Sequence, residues 1–443
     1  MRKASLLLCL LLPVVINAQQ LSIDAMIERD MASMLSTYKM LHAAPELSHR
    51  EEKTAAFFAG ELRKLGYTVT ERLGKFENTE WTGYGVVAVL KNGAGPTVLV
   101  RTELDALPVE EKTGLPYASK ARAKNDAGVD VAVMHACGHD IHMTSLLATA
   151  KLLSELKSQW QGTLVLLGQP SEETGDGARA LLKDSLYTRF PQPDFAIALH
   201  DKPDIETGKI GYTPGYAMAS ATSIDIKIRG IGGHGSAPET TKDPVVVAAQ
   251  VVMALQTIVS RENSPLDPAV VTVGSIHGGT RYNIIPDEVN LQLTVRTYKE
   301  DVRQKILASI ERIVKSAAMS AGIPDDRAPI VKVSEGTTST YNDPKLLERL
   351  TPAFQRALGE ENVLVKVPPM MASEDFGYLS LDQKIPATII WLGASDPRKV
   401  KAYRETGAPI PGLHSALFAP VPESTLRTGV KATTAAVLEL MKK

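Results

Sequence analysis

The chain has 443 residues, and its 49 Lys and Arg against 50 Asp and Glu give a formal net charge of −1. No run of basic residues is longer than two, which excludes a protein that binds nucleic acid through a basic stripe releasing counterions. The hydrophobic share of 44% and the charged share of 22% are typical of a globular protein, and the length predicts two or three domains.

The first segment predicted along the chain is a secretory signal peptide. Arg2 and Lys3 precede an apolar stretch over residues 6–16 that is too short to span a bilayer. Ala18 is a small residue before a possible cleavage site. We therefore expect residues 1–18 to be removed and the mature protein to be secreted or periplasmic, without a stable membrane span. The alternative is an uncleaved N-terminal anchor.

Helices and strands alternate after this segment. Apolar residues with helical spacing predict helices between residues 23 and 67. Short apolar runs that begin at Thr97, Gly162 and Phe195 predict strands, with amphipathic helices between them. Strands that are apolar on both faces and alternate with helices indicate an α/β fold, a mainly parallel sheet flanked by helices.

The pattern then changes to that of a smaller unit. Isoleucines alternate with charged residues over 224–229, as in a half-buried strand, and a helix, two strands and a helix follow. This order, with a further strand over 329–336, is typical of a two-layer α+β domain. We expect this domain to be inserted at residues 216–332, between parts of the catalytic domain at 19–215 and 333–443.

Residues that can bind a metal or move a proton end three of the predicted strands. The first strand leads to Glu103 and Asp105, the second to Glu172 and Glu173, and the third to His200. In open α/β sheets, ligands bind beyond the carboxyl ends of the strands. We therefore expect these side chains to converge.

Cys137 and His139 stand just before a predicted helix, where the helix dipole favours an anionic sulfur. The other cysteine, Cys9, lies in the signal segment, so the mature chain has one thiol and no internal disulfide. Such a thiol is buried and inert, a metal ligand or a nucleophile. Cysteine, histidine and carboxylate together are also the ligand set of zinc or a related divalent ion.

Several segments together resemble one known family. They read MHACGHDIHMTS, GQPSEETGDGA, ALHD, GGHGSAP and ASEDFGY. They are similar to peptidase family M20, in particular its subfamily D of amidohydrolases, which includes hippurate hydrolases, auxin-conjugate hydrolases and N-acyl-amino-acid deacylases. The resemblance covers about residues 30–440 and implies a zinc-exopeptidase-like catalytic domain with an inserted lid or dimerisation domain.

The resemblance also implies a two-metal centre, with two divalent ions, Mn²⁺ or Zn²⁺, in each subunit. The metal ligands that it implies are Cys137, His139, Glu173, His200 and His414. Glu172 resembles the general base that takes a proton from metal-activated water, and His234 resembles the substrate-binding residue that stabilises the oxyanion. A homodimer through the inserted domain is implied, in which this histidine can reach the neighbouring site.

Other positions carry open alternatives. Glu-Leu-Asp at 103–105 departs from the family's usual Asp-Met-Asp; we interpret Asp105 as orienting a ligand histidine and Glu103 as lying just outside the ligands. Glu374 either orients a ligand or caps a helix. Asn283 either lies near the substrate or is a turn residue before a proline.

We therefore expect a metal-dependent amidohydrolase that cleaves the amide bond of N-acyl amino acids or short peptides. One alternative is a cysteine hydrolase that uses Cys137, in which the paired acids and His414 would have no role. Another is a catalytically silent protein of the same fold that binds metal or peptide. Loss of activity on chelation distinguishes the metal enzyme from the cysteine hydrolase.

Overall fold

The computed structural model describes residues 22–443, so the predicted signal peptide and Cys9 lie outside the described residues. The helices are α1 (Ile23–Ala43), α2 (Glu52–Lys64), α3 (His139–Glu155), α4 (Gly177–Lys183), α5 (Leu186–Arg189), α6 (Pro244–Thr257), α7 (Glu300–Ser320), α8 (Pro344–Leu358), α9 (Pro397–Thr406) and α10 (Pro422–Leu440). The strands are β1 (Thr68–Leu73), β2 (Gly85–Asn92), β3 (Thr97–Glu103), β4 (Arg122–Lys124), β5 (Asp130–Ala132), β6 (Gly162–Gln169), β7 (Phe195–Glu206), β8 (Ile210–Tyr212), β9 (Gly215–Met218), β10 (Ser220–Arg229), β11 (Gly233–His234), β12 (Ala269–Gly278), β13 (Ile284–Ile285), β14 (Glu288–Thr297), β15 (Ile330–Thr337), β16 (Thr340–Asn342), β17 (Val363–Val365) and β18 (Ala387–Ser395).

An eight-stranded sheet lies at the centre of the larger part of the fold. Its strand order is β1-β2-β6-β3-β7-β18-β8-β17. The central strands β6, β3, β7 and β18 are parallel, whereas β1 and β2 form antiparallel pairs at one edge. Trp391 of β18 stands opposite His200 of β7. The predicted α/β class with a mainly parallel sheet is confirmed.

Helices cover both faces of this sheet because its central strands are apolar on both sides. One face packs against α1, α2, α3, α8 and α10, and the other against α4, α5 and the short helical turn at Asp375–Ser380. α3 is buried on almost every residue, since it lies between the sheet and the helices α1 and α10. The helix that begins at His139 is therefore held on all sides.

A second, antiparallel sheet has the order β12-β14-β10-β15. Ile224, Ile226 and Ile228 are buried under α6 and α7, which confirms the predicted alternation in β10. β15 continues to Thr337, so the limit predicted at residue 332 falls inside a strand of this sheet. The exact division of the chain into domains stays a prediction.

The helical segment Pro244–Glu262 is long and apolar enough to cross a membrane, judged by length and composition alone. It includes α6, which packs Val247, Val251 and Leu255 against the second sheet and leaves Val246 and Met253 exposed. The buried side of α6 is thus part of a core, and its other side is an apolar surface.

Candidate metal centre

The predicted site residues converge at the carboxyl ends of the parallel strands. β3 ends at Glu103, the turn that carries Glu172 follows β6, and His200 lies within β7. α3 begins at His139 after Gly138, whose φ is +83°. A Cβ at this glycine would lie 2.5 Å from an Asp201 carboxylate oxygen, so the approach of the helix to β7 requires glycine here.

The five predicted metal ligands form one cluster. Cys137 Sγ lies 3.6 Å from His200 Nε2, and His414 Nε2 lies 3.3 Å from Glu173 Oε2. His139 Nε2 lies 3.8 Å from Glu173 Oε1. Among the groups of side chains whose donor atoms lie within 4.8 Å of one another are two sets made of predicted ligands alone, Cys137-His139-His200 and Cys137-Glu173-His414. Cys137 belongs to both sets, and together the five side chains would hold two divalent ions.

Hydrogen bonds aim two of the imidazoles into this cluster. A backbone carbonyl only accepts hydrogen bonds, so His139 Nδ1 donates to the Asp105 carbonyl at 2.8 Å and His200 Nδ1 donates to the Asp201 carbonyl at 2.9 Å. Each ring thereby turns Nε2 toward the other donors. His139 Nε2 and Glu173 Oε1 are buried atoms that lack a hydrogen-bond partner among the described residues. Such atoms fit a site for metal ions.

The raised pKa values of two carboxyl groups in the cluster also indicate a site for cations. Burial, with the nearby Glu374 and Glu173 carboxylates, raises the pKa of Glu172 well above its usual range. Burial also raises the pKa of Glu173 to about 7, although the positive charge of His139 opposes the shift. When they are ionised, these carboxylates are not fully compensated by their protein neighbours, and divalent cations would offset their charge. The donor set fits two such ions.

A buried network behind the cluster holds the carboxylates that were predicted to lie outside the ligands. His142 Nδ1 pairs with Glu103 Oε2 at 2.9 Å, and Arg101 pairs with Glu103. Arg101 also donates to Glu374 at 2.7 Å and to Asp375 at 3.2 Å. Glu374 accepts from the backbone N–H of residue 376, so it caps a helical turn. Its carboxylate also lies within 4.8 Å of donor atoms of Glu103 and His200.

Sequence reasoning missed Arg101, although a lone arginine inside the apolar run of β3 was a visible signal. Its side chain is fully buried. A buried guanidinium needs carboxylate partners, and the acids in the predicted site were the available candidates. The Arg101 guanidinium of β3 therefore belongs to the site.

The turn that carries Glu172 and Glu173 is braced by the segment before α2. Ser48 Oγ donates to Asp105 Oδ2 at 2.7 Å, and that oxygen also accepts the Glu173 N–H at 3.0 Å. Glu51 accepts from the backbone N–H of Ser171 at 2.7 Å, and Ser171 has a positive φ of 53°. The Asp105 carboxylate thus fixes the backbone of a ligand, and its carbonyl orients His139.

Two predicted site residues are not brought to the cluster. His234 and Asn283 are exposed, and neither lines the cleft in front of the metal ligands. They are close to each other, because β11 pairs with β13 and the Gly235 N–H donates to the Asn283 carbonyl at 2.9 Å. Within one subunit, the prediction that they act at the cluster is therefore not met.

The cluster opens into a cleft of about 740 Å³ between the two sheets. The second sheet contributes Arg296 of β14, which is half-buried and donates to Ser373 Oγ at 2.8 Å. Burial lowers the pKa of Arg296. Sequence reasoning gave no reason to single out this arginine, since its strand alternates like any half-buried strand. The apolar lining includes Met218, Met370, Met371, Trp391 and Leu413.

Residues 99–406 match the model of peptidase family M20/M25/M40. This segment includes four of the five clustered ligands, the second sheet and most strands of the eight-stranded sheet, but not β1 and β2. The chain belongs to this family. As an M20 family member it is a hydrolase, and the predicted family resemblance is confirmed.

Two relatives of this M20 hydrolase are named for the hydrolysis of acylated amino acids. The N-acetyl-L-cysteine deacetylase of Bacillus subtilis (strain 168) is 36% identical over 366 residues, which cover 81% of this chain and 80% of that protein. The hippurate hydrolase of Campylobacter jejuni is 37% identical over 341 residues, covering 76% of this chain and 82% of that protein. Both names describe hydrolysis at an acylated nitrogen.

A solved structure supports the fold and the metal centre of the M20 member. The YXEP protein of Bacillus subtilis, described as a dinuclear metal-binding peptidase of the M20 family, is 26% identical with a TM-score of 0.73. The match covers 94% of this chain and 99% of that chain. A dinuclear centre in a structural relative agrees with two ligand sets that share Cys137.

Proposed function

We propose that this M20 hydrolase cleaves the amide bond of N-acyl amino acids, using two divalent ions and Glu172 as the general base. The observation that carries the proposal is the cluster of five ligands facing a largely apolar cleft, with Glu172 Oε2 3.7 Å from the His139 Nε2 atom. The names of the deacetylase and the hippurate hydrolase support an acylated amino acid as the substrate.

The metal ligands, Glu172 and Arg296 have separate roles in the proposed reaction. Cys137, His139, Glu173, His200 and His414 would hold the ions, which when bound would supply the Lewis acidity that lowers the pKa of water and polarises an amide carbonyl. Glu172 accepts a proton from the attacking water and returns it to the leaving amine. Arg296 binds the substrate carboxylate by a charge-assisted hydrogen bond.

Chelation tests the proposal. The purified mature protein should contain about two equivalents of metal by elemental analysis, lose its activity on N-acetyl and N-benzoyl amino acids after chelation, and regain it with Mn²⁺ or Zn²⁺. Activity that resists chelation would instead support a Cys137 nucleophile. Two bound ions without hydrolysis across the panel would support the catalytically silent alternative. Burial raises the pKa of the Cys137 thiol, which disfavours a free thiolate nucleophile.

We also propose that the protein is a homodimer in which the second sheet's His234 acts at the partner's centre. The exposed side of α6 includes Met253, which is 72% exposed, and Val246, which is 53% exposed. A second copy covering this apolar surface would remove it from water. The exposure of His234 and Asn283 is what residues serving a neighbouring cleft require.

Mixing inactive variants tests this arrangement. Glu172→Gln and His234→Ala subunits, each inactive alone, should regain up to a quarter of wild-type activity when denatured and refolded together, because one site of each mixed dimer then has both residues. Light scattering should give a dimeric mass for the wild type and a monomeric mass for Met253→Glu. A monomeric wild type with full activity would refute the proposal.

Export remains a proposal that rests on the sequence of residues 1–18. Expression of the full chain in a Gram-negative host should place the activity in the periplasmic fraction. N-terminal sequencing should then begin at Gln19. Activity retained in the cytoplasm with an intact N-terminus would contradict the signal peptide.

A further inference from the structure

The cleft contains a buried cation besides the half-buried Arg296. Lys202 lines the cleft, and its residue is only 9% exposed. Its ammonium lies 2.9 Å from Asp204 Oδ1 and 3.5 Å from Met370 Sδ, above the Trp391 ring at 5.8 Å from its centre. Neither the general base, the ligand cluster nor the carboxylate-binding role of Arg296 uses this lysine.

The strand geometry places Lys202 beside the metal centre. His200 and Lys202 are two residues apart on β7, and side chains at this spacing project from the same face of a strand. Their Cα atoms are separated by roughly 7 Å at a rise of about 3.3 Å per residue. The ammonium therefore faces the region that a substrate bound at the ligands would occupy, and both residues line the same cleft.

The partners of Lys202 leave part of its capacity unused. An ammonium has three N–H donors, and the described residues offer it one carboxylate and one thioether, which is a weak acceptor. The carboxylate belongs to Asp204, whose side chain is 50% exposed and can turn toward solvent. The apolar surroundings of Met370 and Trp391 strengthen any further ionic hydrogen bond.

We infer that Lys202 is an anion subsite that selects substrates with a second carboxylate. The inference rests on the proposed function and narrows its substrate class to dicarboxylates. Arg296 binds one carboxylate of the N-acyl amino acid, and Lys202 binds the other. The second carboxylate belongs either to the amino-acid side chain, as in an N-acyl glutamate, or to the acyl group, as in an N-succinyl amino acid. Both sources present the same chemistry to the ammonium.

Paired substrates that differ only in this charge test the inference. The first pair is N-acetylglutamate and N-acetylglutamine, and the second is N-succinyl-leucine and its neutral amide, N-succinamoyl-leucine. In the metal-loaded enzyme, kcat/KM should favour the dicarboxylate of one pair by about tenfold or more, the size expected for an ionic hydrogen bond in an apolar site. The pair that shows the preference identifies the side of the amide bond that Lys202 contacts.

Three variants assign the preference to the ammonium. Lys202→Met should bring the ratio of the two kcat/KM values close to one. Asp204→Asn should increase the ratio, because it removes the competing carboxylate. Lys209→Met is the matched control: Lys209 also pairs with an acid nearby, Glu206 at 2.5 Å, but it does not line the cleft, so the ratio should stay at the wild-type value.

Binding measurements separate this inference from the proposed reaction. Glutarate should bind the metal-loaded wild type at least about tenfold more tightly than butyrate in calorimetry, and Lys202→Met should abolish the difference even if no N-acyl amino acid is hydrolysed. Equal binding of the two acids by the wild type would overturn the subsite. A preference for dicarboxylates that persists in Lys202→Met would overturn it as well.

Discussion

Replacement of Glu172 by glutamine removes the proposed general base and leaves the five metal ligands in place. The amide has nearly the same shape but does not take up a proton, so proton transfer from water is lost. General-base catalysis contributes a factor of about 10²–10⁴, and we expect kcat to fall by that factor, or about 3–5 kcal/mol in activation free energy. Metal content should be unchanged, because the Glu173 oxygen, 3.8 Å from His139 Nε2, remains in place.

The structure also gives the sign of the effect on stability. Burial and the neighbouring Glu374 and Glu173 carboxylates disfavour the ionised form of Glu172. A neutral amide relieves this repulsion, so the melting temperature of the chelator-treated variant should equal or exceed that of the wild type treated in the same way. A loss of activity through unfolding would instead lower it.

Steady-state kinetics and elemental analysis of the same samples provide the assay. Glu173→Gln is the matched control: it should lose activity together with bound metal, because it removes a ligand. If Glu172→Gln binds two ions and retains kcat within about tenfold of the wild type, Glu172 is not the base and another group must accept the proton.

Three further predictions concern buried charges. Arg101→Met leaves three buried carboxylates without their cation and should lower the free energy of unfolding by about 3–5 kcal/mol in urea titration, with Arg101→Lys intermediate; an unchanged midpoint would contradict the network. His42 lies buried between Asp140 and Glu111, which raise its pKa to about 9 against the effect of burial. Its contribution, on the order of 3 kcal/mol, should be complete below about pH 6.5 and lost as the pH rises through 9, so the stability gap between wild type and His42→Gln should narrow between pH 6 and pH 10. Arg296→Met should raise KM for N-acetyl amino acids by about tenfold or more and leave KM for the matching amino-acid amides unchanged; equal effects on both would remove its role as carboxylate partner.

The sequence predicted the strands and metal ligands of the site better than the residues that hold them in position. Strands and ligands were visible because buried strands are continuous apolar runs and because the polar residues that end them are conspicuous. The convergence of Cys137, His139, Glu173 and His200 follows from that local pattern once the sheet is parallel, whereas their assignment as metal ligands came from the family resemblance. His414 follows only from the family resemblance, since nothing near it in the sequence indicates which strand it approaches.

The remaining residues depend on tertiary contacts. Ser48 and Glu51 precede an ordinary amphipathic helix, and their role as a brace arises from hydrogen bonds to residues more than fifty positions away. Lys202 follows a ligand on β7, but a lysine near a strand end is usually solvated, so only its burial singles it out. The exposure of His234 could not be predicted either, because it depends on how two sheets are arranged in space.

The hydrogen bond from the His414 N–H to the Ala136 carbonyl, at 2.8 Å, joins the last ligand to the segment that carries Cys137. During synthesis on the ribosome, the early ligands emerge long before this residue does. A nascent chain can therefore offer Cys137, His139 and His200 to an ion, but not the complete pair of sites. The cluster that would hold two divalent ions is complete only when almost the whole polypeptide has been made, which would couple metal binding to the final steps of folding.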